Sequence, residues 1–480
     1  MGVHEKFKWL KYYNFNNSIL RNFQKLVTCK FTTKLPYNIS TVFDWHKQDG
    51  IFERLTPAFV NVKVNTMGKF YEANSCVQLT VIKHGIPMQF KLRHSDFVEG
   101  VGFKDSQITG PFSFYQHSHQ FSSIDDNLGT VINDTINFDL PLKHVSNAFG
   151  GFYIKSDFTK LFAYRSQIMH QDLKYFTKYK ENPKMKIALT GASGLIGKSL
   201  KTFLSSQSHQ VIPMVRHKNT EGIYWNPELG ELDFSQLEGF DAIIHLAGEN
   251  IANSPWTKSQ KTKLINSRTV STKLITDAIA QLQNKPKIFM CASAIGYYGD
   301  RGSESLDEHS LSGSGFLADL CKAWESSTGV LNTSGIRTVN LRIGLVLSPE
   351  GGVLAKILPI FNLGGGGNLG NGKQYMSWIA IDDILGSVLH ILNTDTINGA
   401  VNLVSPNPVT NSEFTKILGK VISRPTIFPV PEIALKLLLG QMAQELLLAS
   451  SKVYPKILEN TGYEFAYPDL ELAFRHLLGK

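Results

Sequence analysis

Apolar and polar residues alternate through the first part of the chain. Phe59 to Val64, Cys76 to Ile82, Met88 to Arg93 and Thr130 to Phe138 each place apolar side chains at every second position. That period predicts strands with one buried face, as in a curved antiparallel sheet. Over Ser156 to Lys180 the interval changes: Phe158, Leu161, Phe162, Tyr164, Ile168, Leu173 and Phe176 recur at helical spacing. A sheet closed by a long C-terminal helix is the economical architecture. Beyond residue 185 the grammar changes again. Short apolar runs at Lys186 to Thr190, Val211 to Val215, Ala242 to Ala247, Ile288 to Ala292 and Thr338 to Leu347 alternate with candidate helices at 195–206, 257–282 and 315–330. Strands alternating with helices predict a parallel sheet covered on both faces. Glu181-Asn182-Pro183-Lys184 marks the expected linker between the two regions.

Composition changes this picture in two places. At roughly 100–200 residues per domain, the 480 residues call for several domains. The net charge of +9 invites a nucleic-acid reading, but residues 1–40 hold Lys6, Lys8, Lys11, Arg21, Lys25, Lys30 and Lys34 against Glu5 alone, a net of +6. No basic groove for nucleic acid is therefore expected on the main body. The basic, acid-poor start leaves organelle import as the alternative to a cytoplasmic location. Cys29, Cys76, Cys291 and Cys321 are too scattered for a disulfide framework or a zinc spacing, so reduced thiols are expected. The greasiest stretch, Ile433 to Ala449, is interrupted by Lys436, Gln441, Gln444 and Glu445. It reads as an amphipathic packing helix rather than a transmembrane segment.

The strongest chemical signal is Lys186-Ile187-Ala188-Leu189-Thr190-Gly191-Ala192-Ser193-Gly194-Leu195-Ile196-Gly197. These glycines follow a predicted strand and open a predicted helix, the context that makes such a loop a dinucleotide site. Gly191 permits the tight exit, Gly194 lets the backbone approach a pyrophosphate, and Gly197 lets the helix pack closely; Ser193, Leu195 and Ile196 complete the cradle. At the end of the second strand, Val215-Arg216-His217-Lys218 offers no acid for the ribose hydroxyls of NAD. Arg216 suits a 2′-phosphate, so NADP is preferred over NAD.

Further motifs carry a resemblance. Leu246-Ala247-Gly248-Glu249-Asn250, Ser293-Ala294-Ile295-Gly296-Tyr297-Tyr298-Gly299-Asp300, Trp324-Glu325 and Trp378-Ile379-Ala380-Ile381-Asp382-Asp383 resemble the extended short-chain dehydrogenase/reductases. More narrowly they are similar to the NAD-dependent epimerase-like branch that includes the YfcH-type epimerase family proteins. The resemblance implies a Rossmann-type doubly wound parallel sheet over 185–400 and the branch's own extension over 401–480. It implies that Leu246, Ala247 and Gly248 line the adenine and ribose side. Lys263 and Arg268 would reach the cofactor phosphates or ribose, with a solvated helix face as the alternative. Separately, the glycine-rich run Gly364 to Gly372 is expected to be a mobile loop bordering a substrate cleft, with a plain flexible connection as the alternative; Trp378 and Asp382 at its far end are candidates to shape that cleft, although in related enzymes the Asp of this segment is more often structural.

The catalytic pattern departs from that family. Its members use a Ser or Thr and a Tyr-x-x-x-Lys, and no Tyr-x-x-x-Lys occurs between residues 290 and 335. Leu317 and Cys321 stand where Tyr and Lys are expected. Ser293, Tyr297 and Tyr298 are the remaining catalytic candidates, with Asp300 or Arg301 tuning a tyrosine. Three readings stay open: a tyrosine as proton donor, an acid from the substrate-binding half, or a redox or ligand sensor that holds NADP(H) without turnover. The substrate is expected to be a small molecule.

Upstream, Val42-Phe43-Asp44-Trp45-His46, Arg54-Leu55-Thr56-Pro57, Gly110-Pro111-Phe112, Tyr115 to Phe121 and Asp134 to Pro141 resemble the helix-grip SRPBCC (START-like) domains. This implies an α+β helix-grip domain over 35–180, preceded by a basic extension over 1–34, and a lipophilic ligand. His117 and His119 share one strand face. With no third ligand evident, packing or hydrogen bonding is expected there and no metal.

Overall fold

A computed structural model of the chain describes residues 26–72, 74–83, 85–141 and 143–480. Most of the expected N-terminal extension lies outside the described residues. The chain divides into two compact units: Leu55–Leu173 with the segment before Gln48, and Gln48–Arg54 with Lys174–Lys480. No helix among the described residues is long and apolar enough to cross a membrane.

The first unit is built on a seven-stranded antiparallel sheet in the order β1-β7-β6-β5-β4-β3-β2. Its strands are β1 (Val27–Leu35), β2 (Asn61–Thr66), β3 (Cys76–Lys83), β4 (Ile86–Val98), β5 (Gly102–Thr109), β6 (Phe114–Ile124) and β7 (Gly129–Asp139). The alternation seen in the sequence is the sheet's own: along β7, Ile132, Asp134, Ile136 and Phe138 point inward. β1 pairs with β7 from Val27 opposite Phe138 to Leu35 opposite Thr130, so the sheet begins inside the stretch expected to be an extension. The long helix Lys143–Lys178 follows β7, and its Phe162 packs with Cys29, Ile136 and Phe138.

The second unit holds an eight-stranded sheet. Strands β8 (Lys186–Thr190), β9 (Gln210–Val215), β10 (Ile223–Asn226), β11 (Glu231–Leu232), β12 (Ala242–His245) and β13 (Ile288–Ala294) are joined by Arg337–Ile343 and Gly399–Leu403. The order is β11-β10-β9-β8-β12-β13, then Arg337–Ile343 and Gly399–Leu403, parallel except for β11. Both faces are buried, which is why these strands read as continuous apolar runs. Ile187 and Leu189 face the helices Leu195–Ser206 and Ile381–Leu392 on one side, while Ala188 faces the helix Lys258–Gln281 on the other. The expected linker at 181–184 falls inside this unit, because Tyr175 packs on Phe203 and Tyr179 bonds His390.

Two features expected at a substrate cleft lie in the core instead. Trp378 is wholly buried and its Nε1 donates to Asn407 O at 3.0 Å. Asp382 opens the helix Ile381–Leu392 and accepts from Arg54 Nη1 at 3.0 Å and pairs with His476 Nε2 at 3.1 Å. A charge removed from water needs such partners, so Asp382 serves as an interior counterion, and Trp378 is a core side chain. The glycine-rich loop is also pinned. A Cβ on Gly367 would lie 2.0 Å from Phe428 O, and Leu369 bridges Val430. Glycine is there because another segment runs against it. The stretch expected to form an amphipathic packing helix is instead the short helix Glu432–Leu439, with Leu437 82% exposed, followed by a π-helical turn at Ala443–Leu448.

Burial alone would raise the Asp382 carboxyl, but His476 and Arg54 together hold it below the usual carboxylate range. A depressed folded value contributes stability above the unfolded pKa near 3.9, lost as pH falls below about 4. Asp382→Asn is expected to cost roughly 3–5 kcal/mol at pH 7, since it removes one member of a buried, hydrogen-bonded charge cluster. Urea unfolding across acidic pH should also show a shallower acid loss in the variant than in the parent chain.

Candidate functional site

The site is assembled where the parallel strands end. Gly191 leaves β8 with φ +68°, a conformation that favours glycine, and a Cβ there would meet Leu246 C at 2.9 Å. Gly191 and the Leu246–Ala247 backbone are therefore neighbours. A Cβ on Gly197 would lie 2.1 Å from Gly191 O, so the helix Leu195–Ser206 can only approach the strand so closely with glycine at that position. Gly194 is that helix's N-cap and has no side-chain cap, and Ser193 beside it is exposed. The first backbone N–H groups are left for an anion.

A tie unforeseen in the sequence fixes the loop. Thr190 Oγ1 lies 2.7 Å from His245 Nδ1 and accepts from Leu246 N and Ala247 N at 3.0 and 3.1 Å. Burial, with help from the positive Arg216, lowers the His245 pKa to about 3. The ring is a neutral spacer.

Arg216 follows β9, is exposed, and makes no ion pair among the described residues. Lys263 is also exposed, with Nζ 3.4 Å from Glu249 Oε1. Arg268 is held more tightly. It donates from Nη2 to Glu249 O at 3.0 Å and from Nη1 to Leu264 O at 3.1 Å, with its guanidinium 4.9 Å from the Trp324 ring centre. It borders Gly248, where a Cβ would sit 3.5 Å from its Cζ. Lys263 is thus an exposed cation beside Glu249, while Arg268 is fixed against Gly248.

The catalytic candidates meet in one network. Ser293, near the end of β13, donates to Glu325 Oε1 at 2.7 Å. Arg342 grips the same carboxylate with Nε and Nη2, both at 2.9 Å, and its Nη1 donates to Tyr298 OH at 3.0 Å. Tyr298 OH in turn donates to Asn402 Oδ1 at 2.8 Å. Burial, eased by Arg342, pushes the Tyr298 phenol up to about 12. Tyr298 is wholly buried and its hydroxyl is engaged on both sides, so it presents no proton to a substrate. Tyr297 differs: it is half-buried, its ring lies 3.5 Å from the Arg342 guanidinium, and its hydroxyl has no partner among the described residues.

Leu317 and Cys321, at the expected Tyr and Lys positions, face Gly296, whose added Cβ would meet them at 3.2 and 3.8 Å. Burial raises the Cys321 thiol to about 11, so it is inert as a nucleophile. Asp300 and Arg301 tune neither tyrosine. Asp300 accepts from Gly302 N and Ser450 N, both at 3.2 Å, and Arg301 pairs with Glu304. The residue that touches both rings is Arg342, read in the sequence only as part of an apolar strand. The far C-terminal segment supports the site, since Glu445 accepts from Phe316 N and Leu317 N at 3.2 and 2.8 Å and so caps the helix Phe316–Ser326.

A glycine cradle at the end of β8, a doubly covered parallel sheet and a helix N-terminus facing the cradle define an α/β protein of the Rossmann-like, NAD-dependent epimerase fold. Residues 187–403 match the NAD dependent epimerase/dehydratase family, and residues 430–477 match a domain of unknown function, DUF1731. An epimerase family protein of Mycobacterium leprae is 39% identical over 58% of this chain and 91% of its own length. A nucleoside-diphosphate sugar epimerase from Corynebacterium glutamicum is similar in structure, with 32% identity, a TM-score of 0.77, and coverage of 94% of this chain and 90% of its own. The human epimerase family protein SDR39U1, solved with NADPH, has 30% identity and a TM-score of 0.57 over 61% of this chain and 99% of its own. The chain belongs to the epimerase family proteins.

The two tyrosines should separate in a stability measurement. Tyr298→Phe leaves buried polar groups unpaired and is expected to cost about 1–3 kcal/mol. Tyr297→Phe should change stability by less than about 0.5 kcal/mol. Guanidinium unfolding of the two variants against the parent chain checks this.

Proposed function

We propose that the second unit is an NADP(H)-binding oxidoreductase or epimerase-like enzyme acting on a small molecule, within the YfcH-type branch. The observation that carries the cofactor choice is Arg216, an exposed guanidinium with no carboxylate beside it, one residue beyond β9. A bare cation at that edge suits a 2′-phosphate and an acid would suit the ribose hydroxyls of NAD. The uncapped helix at Gly194 fits the pyrophosphate, with Leu246, Ala247 and Gly248 along the ribose side and Lys263 at the rim. The human relative solved with NADPH is in keeping with this reading.

When bound, the nicotinamide gives or takes a hydride. Tyr297 is the proton donor in this reading, because its hydroxyl alone among the three candidates is not engaged by the protein. Arg342 and Glu325 position it. Ser293, bonded to Glu325, holds that carboxylate rather than the substrate. The first unit is read as the helix-grip module of the SRPBCC type, taking a hydrophobic compound. A long helix against an antiparallel sheet and stacked rings such as Phe31 on Phe162, 4.2 Å apart, support it.

A second reading, a sensor that holds NADP(H) without fast turnover, is favoured by Leu317 and Cys321 in place of the Tyr and Lys pair. Titration calorimetry should find NADPH bound more tightly than NADH. Arg216→Ala should weaken NADPH by about tenfold to a hundredfold, the worth of a charge-assisted bond, and leave NADH unchanged. Equal affinities would remove the cofactor assignment. On a substrate found by screening carbonyl compounds with NADPH, Tyr297→Phe should abolish turnover with NADPH affinity intact; unchanged turnover would favour another acid.

A further inference from the structure

The interior face of the first unit gathers an unusual set of side chains. On neighbouring strands, His94 of β4 lies opposite Asp105 of β5, Asp105 opposite His117 of β6, and His119 of β6 opposite Asp134 of β7. Cross-strand partners share a face, and so do residues two apart on one strand. All five side chains therefore project from the same side of the sheet. Asp134 and His117 are about 5% and 6% exposed, and Asp105 and His119 about 15% and 16%.

We infer that Asp105, His117 and His119 bind one divalent transition-metal ion of the zinc class. Each offers one ligand atom, and the three atoms lie within 4.8 Å of one another. Imidazole nitrogens with one carboxylate are a donor set that suits zinc and its neighbours. The third ligand was invisible in the sequence because Asp105 stands on another strand.

The surrounding contacts are those that orient metal ligands. His119 Nδ1 is 2.7 Å from Asp134 Oδ1, which fixes the ring and turns Nε2 toward Asp105 Oδ2, 3.3 Å away. Two ligands on a tetrahedral ion with bonds of about 2.0–2.1 Å stand roughly that far apart. Asp134 Oδ1 also lies 2.9 Å from His117 Nε2, and His94 Nδ1 holds the other oxygen of Asp105 at 2.5 Å. Carboxylate and imidazole partners of this kind set ligand direction and basicity. Phe103, stacked 4.2 Å from His119, and Phe162, 5.6 Å from His117, wall the cluster with apolar surface.

The test uses the full chain, purified without an affinity metal, stripped with a chelator and titrated with Co(II) and Zn(II). One ion per chain, with the visible bands of tetrahedral or five-coordinate Co(II), is expected, together with a higher unfolding temperature in Zn(II). His119→Ala and Asp105→Asn should abolish the bands. Asp134→Asn, which leaves all three ligands in place, should weaken binding by roughly 10–100-fold. Circular dichroism reports that each variant is folded. Substoichiometric metal with no cobalt spectrum in the parent chain would overturn the site. So would a folded His119→Ala chain that binds Co(II) as the parent does; either result leaves a hydrogen-bonded His and Asp network.

Discussion

A guanidinium taken out of water needs partners for its charge and its N–H groups, and in the second unit Glu325 supplies both to Arg342. Their side chains are only 5% and 14% exposed, and the pairing uses both carboxylate oxygens. Most of the candidate site hangs from this pair. Ser293 turns to Glu325, Tyr298 is held between Arg342 and Asn402, and the Tyr297 ring lies on the guanidinium face. Breaking such a pair costs far more than forming it gains, so the geometry around it is stiff.

That pair also shows how the site differs from the Tyr-x-x-x-Lys arrangement. A lysine near a tyrosine is a mobile point charge with three donors, whereas a guanidinium is a planar fork committed to its partners. Here the fork is spent on Glu325 and Tyr298, and the positions of the missing pair are filled by Leu317 and a buried Cys321. What remains open toward a ligand is a single phenol and a dinucleotide cradle. The cradle follows from backbone geometry and close approach, which only glycine permits at residues 191 and 197. It is therefore independent of whatever acid chemistry accompanies it.

The periodic parts of the fold were legible in the sequence for a physical reason: burial imposes a period of two on the first sheet and continuous apolar runs on the second. β8, β9 and the helix Leu195–Ser206 fall where the pattern puts them. β1 was hidden because its lysines, at Lys30 and Lys34, made it look like part of a basic tail, while Phe31 and Leu35 turn inward. The cofactor cradle was readable because its residues are contiguous. The Glu325, Arg342 and Asn402 network was not, since its members come from a helix and two separate strands and no local spacing links them. Trp378 and Asp382 misled for a related reason: aromatic and acidic residues beside a glycine-rich loop look like a cleft, yet Arg54 and His476, far away in sequence, turn that aspartate into an interior counterion.

Arg54 carries a wider consequence. The short segment Gln48–Arg54 counts with the second unit although the chain on either side of it belongs to the first. The two units are therefore not beads divided by one peptide bond. A cut anywhere between Arg54 and the glycine cradle would take Arg54 away from Asp382 and leave that carboxylate with His476. One unit thus keeps a charged partner of its core within the stretch of sequence that otherwise builds the other.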